Sequence, residues 1–180
     1  MAAGDKERLS AVRQGQKEAK KKQRLEQRGS ALTTKAVKAK TASKKAVKRG
    51  QPIKATRKKA KAVRLATRAR QKKDLTQGKR TIVGRKDSRG YGEADVTETA
   101  QRGERKGARK RTRAMVLKAK AAQTKSPTRY VKLKGRAERK EIEAKTARKK
   151  TDIKTKKEAK RKVARSKRRA YARYGTTKKP

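Results

Sequence analysis

The stretch Gly135-RAERKEIEAKTARKKTDIKTKKEAKRKVARSKRRAYARY-Gly175 decides how the chain is read, because it is the longest segment without internal Pro or Gly and its residues favour helix. As one helix it is about 60 Å long at roughly 1.5 Å per residue. Glu141, Asp152 and Glu158 each precede a lysine by four residues (Lys145, Lys156 and Lys162), and the acid lies on the N-terminal side, the better orientation for such pairs. Ile142, Ile153 and Ala164 recur at one fixed spacing, as a thin line rather than the wide stripe that a globular helix buries. The pattern predicts a solvated or charge-matched helix with no oily partner. Arg161, Lys162, Arg165, Lys167, Arg168 and Arg169 concentrate positive charge near its end, Tyr171 and Tyr174 follow, and a polyanion is the partner that this suits.

The whole chain repeats the message. Its 64 Lys and Arg against 15 Asp and Glu give a formal charge of +49 on 180 residues. Charge of one sign at this density opposes compaction. Apolar residues make up 30% of the chain, Ala supplies many of them, and there is no Phe and no Trp, so a sizeable core is not expected. Low hydrophobicity with high net charge predicts a chain largely disordered alone that gains structure on a neutralising partner. Without Cys there is no disulfide, thiolate nucleophile or finger-type zinc site, and without His no imidazole for metal binding or neutral-pH proton transfer. No enzymatic activity and no cofactor are expected; a structural Mg would arrive only with bound nucleic acid. The apolar run Ala114 to Leu117 is far shorter than the roughly 20 residues that span a bilayer, so no membrane partner is expected. The first ten residues carry Asp5 and Glu7 and no apolar segment, unlike a secretory signal or an acid-poor presequence. The expected location is the cytoplasm, the nucleus or nucleolus, or the interior of a virion, and not the secreted space.

In chain order, residues 1–29 read as an N-terminal basic helix ended by Arg28, Gly29 and Ser30. Residues 30–77 form a Lys/Ala-rich arm with helical parts, without an acid between Leu32 and Lys73 and split at Gln51-Pro52, since the residue before Pro avoids helix. Lys35-Ala36-Val37-Lys38 returns as Lys45-Ala46-Val47-Lys48, with a looser copy at Lys59 to Val63, too short and polar for a solenoid. In Lys, Ala and Val content this arm resembles the tail of a linker histone or the basic extensions of ribosomal proteins, and the resemblance implies nucleic-acid binding. Residues 78–107 read as a Gly-rich, locally acidic linker or hairpin with β-prone pieces at Thr81-Ile82-Val83 and Asp95-Val96-Thr97. The acids there could face the chain's own bases, a partner protein, a bridging metal ion or solvent. Residues 108–124 read as a short basic helix, 125–134 as a turn and a short strand with Val131 and Leu133 on one side, 135–175 as the long C-terminal helix and 176–180 as a tail.

Gly84 to Gly90 lacks the Gly-Lys-Ser/Thr ending of a P-loop, which argues against nucleotide hydrolysis. Arg89-Gly90-Tyr91-Gly92 is similar to the Arg-Gly-aromatic pieces of flexible RNA-binding segments, but a turn is the favoured reading. Ser126-Pro127-Thr128-Arg129 reads as a helix boundary or a phosphorylation site. The candidate phosphate contacts are Lys44, Lys45, Lys48, Arg49, Arg57, Lys58, Lys59, Arg64, Arg68, Arg109, Lys110, Arg111, Arg161, Lys162, Arg165, Lys167, Arg168 and Arg169. The candidate base-stacking residues are Tyr91, Tyr130, Tyr171 and Tyr174. With no Asn to read adenine and no zinc-finger ligands, direct base readout is not expected.

The predicted fold class is mainly α, extended and non-globular: long basic helices joined by Gly/Pro hinges, with one small β-hairpin. The predicted function is architectural nucleic-acid binding, RNA favoured over DNA, in a ribosome-like particle beside other proteins. The alternatives are a DNA-packaging protein, histone-like or internal to a virion, and a basic scaffold or capsid-associated protein.

Overall fold

Strong helix formers and a series of small side chains set the architecture. The computed structural model describes residues 3–85 and 92–174. These form α1 (Ala3–Lys48), α2 (Pro52–Thr76), β1 (Ile82–Gly84), β2 (Glu93–Asp95), α3 (Thr97–Ala121) and α4 (Pro127–Tyr174). The chain divides into two units, Met1–Lys79 and Arg80–Pro180, and each is built on one antiparallel helical hairpin.

In the first unit, Leu25, Gly29, Leu32, Ala36, Ala39, Ser43 and Ala46 follow alternating steps of four and three along α1. Ala55, Lys58, Ala62, Leu65, Ala69, Lys72 and Thr76 do the same along α2, and nearly all of these residues are buried or half-buried. This is the seam of a two-helix coil, but its residues are mostly small, so the backbones come close. The Ser43 hydroxyl of α1 donates to the Ala55 carbonyl of α2 at 2.8 Å. A Cβ at Gly29 would stand 3.5 Å from Lys72 Cβ. The hairpin turns where α1 meets Gly50, at φ 66°. The Gly50 and Gln51 amides donate back to Val47 and Ala46, a helix stop that needs a left-handed residue, and Pro52 then opens α2.

In the second unit, Ala100, Gly107, Ala114 and Ala121 recur every seventh residue on α3. Ala137, Ala144 and Thr151 do the same on α4. Gly103 marks the tightest approach, where an added Cβ would fall 2.7 Å from Thr151 Cβ and closer still to its γ atoms. The sheet pairs Ile82 with Asp95, Val83 with Ala94 and Gly84 with Glu93. Its inner residues, with the adjoining Val96, pack on Ala159 and Val163 of α4 in a small apolar cluster, and Val96 is 1% exposed.

The expectation of a largely disordered chain is therefore corrected. It counted large apolar side chains, whereas these helices meet through Ala, Gly, Ser and Thr, which gain close dispersion contact without bulk. The expected break at Arg28, Gly29 and Ser30 is absent, because the seam carries α1 through Gly29 against a glycine cost of about 1 kcal/mol. The expected strand at Arg129 to Lys134 is helix: the Arg129 amide approaches Ser126 Oγ at 3.4 Å, and Pro127 occupies the first helical position, so Ser-Pro starts α4. The Gly-rich 78–107 segment is partly helix, since α3 begins at Thr97 and uses Gly103 and Gly107 at its crossing with α4. Ile142 and Ile153 face solvent, and the seam lies on another face of α4.

Candidate nucleic-acid interface

The α1–α2 register gathers most of the arm's candidate bases at one end. Ser43 lies against Ala55, so Lys44, Lys45, Lys48 and Arg49 surround the turn together with Arg57, Lys58 and Lys59. All are exposed except the half-buried Lys58, which is also a seam residue. Arg64 and Arg68 lie farther along α2 and are also exposed to solvent; Arg64 Nε donates to the Ala60 carbonyl at 3.4 Å. No acid lies between Glu26 and Asp74, and both of these sit toward the opposite, open end of the hairpin. The hairpin is thus electrostatically polar along its length, with a tip that carries only positive charge.

Four acids of the second unit, Asp95, Glu141, Glu143 and Glu158, are used internally. Glu141 does not pair with Lys145 as expected but reaches Lys118 of α3 at 2.7 Å. Glu143 bridges Lys140 at 2.7 Å and Lys110 of α3 at 3.0 Å, and these two bonds hold its carboxyl below the ordinary range. The expected Glu158–Lys162 pair forms at 3.0 Å. Glu158 also accepts from the Thr99 hydroxyl, and that bond, ahead of Lys162, lowers its pKa. Lys162 donates to the Asp95 carbonyl at 2.7 Å. The Thr97 hydroxyl and amide donate to Asp95 Oδ1 at 2.5 and 2.9 Å and depress its pKa, helped by Arg80 at 3.7 Å. Asp95, one acid of the locally acidic segment, is therefore matched to the chain's own cations.

Two predicted phosphate contacts, Lys110 and Lys162, are thus tied to acids of their own unit. Arg109, Arg111, Arg161, Arg165, Arg168 and Arg169 are exposed, and Lys167 is half-buried. They do not form one cluster: Glu143, beside Lys110, lies roughly 30 Å of helix before Arg165. Tyr130 is 42% exposed, with Lys134 Nζ 5.9 Å from its ring centroid. Tyr171 is half-buried. Tyr91 lies outside the described residues, as does the side chain of Tyr174. Among the described residues no three Asp or Glu converge on a common point, and no helix is long and apolar enough to cross a membrane. Comparison with family models, with curated proteins and with solved structures gives no match.

Sequence reasoning missed Lys38, Lys40, Lys54 and Lys61, which the same register brings toward the tip. The signal was the four-and-three spacing of Ala36, Ala39, Ser43 and Ala46, which fixes the pairing of α1 with α2.

Proposed function

We propose that this protein is a non-enzymatic, architectural nucleic-acid-binding protein, RNA favoured, that holds phosphate backbones within a ribosome-like particle. The observation that carries this reading is the acid-free tip of the α1–α2 hairpin. Each lysine or arginine there that meets a phosphate releases a condensed counterion, so affinity is high, weakly selective and steeply salt-dependent. RNA is favoured because Glu141, Glu143 and Glu158 of α4 are committed to fixed positions on α3, which suits a chain with one defined seat among folded RNA. A condensing tail has no need of such positions. The acid-free Lys/Ala arm supports DNA packaging as the second reading.

The test is to purify the native complex at low salt and divide it between RNase and DNase. Release by RNase alone is the expected result. Release by DNase alone would move the protein to genome packaging, and release by neither would favour a scaffold on acidic protein surfaces. Replacing Lys45, Lys48, Arg49 and Arg57 with Gln should weaken binding to any sequence and flatten the log-log salt slope by about one for each phosphate no longer engaged.

A further inference from the structure

Beside the seam, α1 and α2 each carry a second line of residues at coiled-coil spacing. On α1 it runs Glu26, Ser30, Thr33, Val37, Lys40, Lys44 and Val47, and on α2 it runs Lys59, Val63, Ala66, Arg70 and Lys73. The two lines flank a groove of about 1040 Å³. Val37 and Val47 are 58% and 64% exposed, unusual for valine on a helix this charged. A helix in a three-helix coil needs two contact lines, one for each neighbour, and these two lines beside the seam have the spacing that a third helix requires.

We propose that this groove seats a single amphipathic, acidic α-helix of a partner protein, completing a three-helix bundle. The four-and-three repeat selects a helix as the occupant. The α1 line from Glu26 to Val47 is about 33 Å long, which a helix of about 20 residues matches. The charges select its chemistry: Lys40, Lys44, Lys59, Arg70 and Lys73 line the groove against Glu26 alone, so the occupant carries apolar residues on one face and Asp or Glu beside them. A second copy is disfavoured by its formal charge of +49. Nucleic acid is the weaker fit, because the floor is Val and Ala and no aromatic residue lines it for a base to stack on. The proposal is independent of which nucleic acid the tip binds.

The probe is a synthetic Leu/Glu peptide of about 20 residues with leucines at coiled-coil spacing, set against a scrambled peptide of the same composition. Binding to the full-length protein is measured by fluorescence anisotropy at about 0.5 M salt, where screening acts within about 5 Å and bulk charge attraction is suppressed. The patterned peptide should bind at least about tenfold tighter than the scrambled one. The variant with Val37→Gln and Val63→Gln keeps the charge and adds better helix formers at exposed positions. It should lose that preference while its circular dichroism and its affinity for RNA are unchanged. Equal binding of the two peptides, or a preference that survives in the variant, would overturn the proposal. Dimerisation through the groove in sedimentation would overturn it in favour of a second copy. None of these results bears on nuclease release of the native complex.

Discussion

At the scale of single residues, the same substitution should have opposite signs at two glycines of the second unit. A Cβ at Gly103 meets the β-branched Thr151, whose Cβ cannot rotate away, so Gly103→Ala should destabilise the α3–α4 hairpin by about 1–3 kcal/mol despite its better helix propensity. At Gly135 nothing lies within 4 Å, and Gly135→Ala should stabilise by up to about 1 kcal/mol. Thermal unfolding followed by circular dichroism checks both, and a higher midpoint for Gly103→Ala would mean that the crossing is looser than the contact implies. The carboxylates give a second residue-level expectation. Asp95, Glu143 and Glu158 titrate below the ordinary carboxylate range because Thr97, Lys140 with Lys110, and Thr99 with Lys162 hydrogen-bond to the charged forms. Their contribution is complete above the unfolded values near 4 and is lost as the pH falls through the lower folded values. Unfolding midpoints should therefore fall below about pH 4. The Glu143→Gln/Glu158→Gln variant should be less stable at neutral pH and show a shallower acid limb; an unchanged limb would place the acid sensitivity elsewhere.

At the scale of elements, stability comes from close approach along a seam of small residues, so enlarging the seam should cost more than removing a polar contact within it. Ala39→Leu, at a buried α1 position, should overpack the α1–α2 hairpin by about 1–3 kcal/mol. Ser43→Ala, which removes the bond to the Ala55 carbonyl, should cost about 1 kcal/mol. Residues 9–24 of α1 run past the end of α2 and are all exposed, so their amides should exchange with solvent well before those of 36–46; equal protection would show that something covers the overhang. The helices themselves were legible in the sequence: propensity and the Pro52 boundary predict α2, and the long Pro-free, Gly-free stretch predicts most of α4. Their pairing was not, because Ala is both a helix former and a seam residue, and a count of large apolar side chains cannot tell the two roles apart. Gly29 was read as a break, and Gly103 and Gly107 as part of a Gly-rich linker, when their lack of a side chain lets a neighbouring helix approach. Of the candidate interface, the basic residues were legible one by one, but their gathering at the α1–α2 tip depends on a register that only the seam spacing encodes. The use of Glu141 and Glu143 against α3 was hidden for the same reason, since within-helix spacing was the only geometry the sequence displayed.

At the scale of the whole molecule, a formal charge of +49 and helices held by close contacts act against each other, and salt separates them. Like charges spread over both units repel, and screening reduces that repulsion with a Debye length of about 10 Å at 0.1 M that shortens as salt is added. The described ion pairs between helices, Lys118–Glu141 at 2.7 Å and Lys110–Glu143 at 3.0 Å, pull the other way, but they are partly exposed and few against 64 basic residues. The unfolding midpoint should therefore rise between about 0.02 M and 0.5 M salt, with substantial helix present at the lower end. Over the same range affinity for nucleic acid should fall, by a log-log slope of about −0.9 for each phosphate engaged on a DNA duplex and about −0.7 on a single strand. Stability and binding should move in opposite directions in one titration, read by circular dichroism and by anisotropy of a labelled RNA. A midpoint that falls with salt would mean that attractive pairs, and not the small-residue seams, hold the helices together. In that case Lys118→Gln should destabilise the second unit more than Gly103→Ala does.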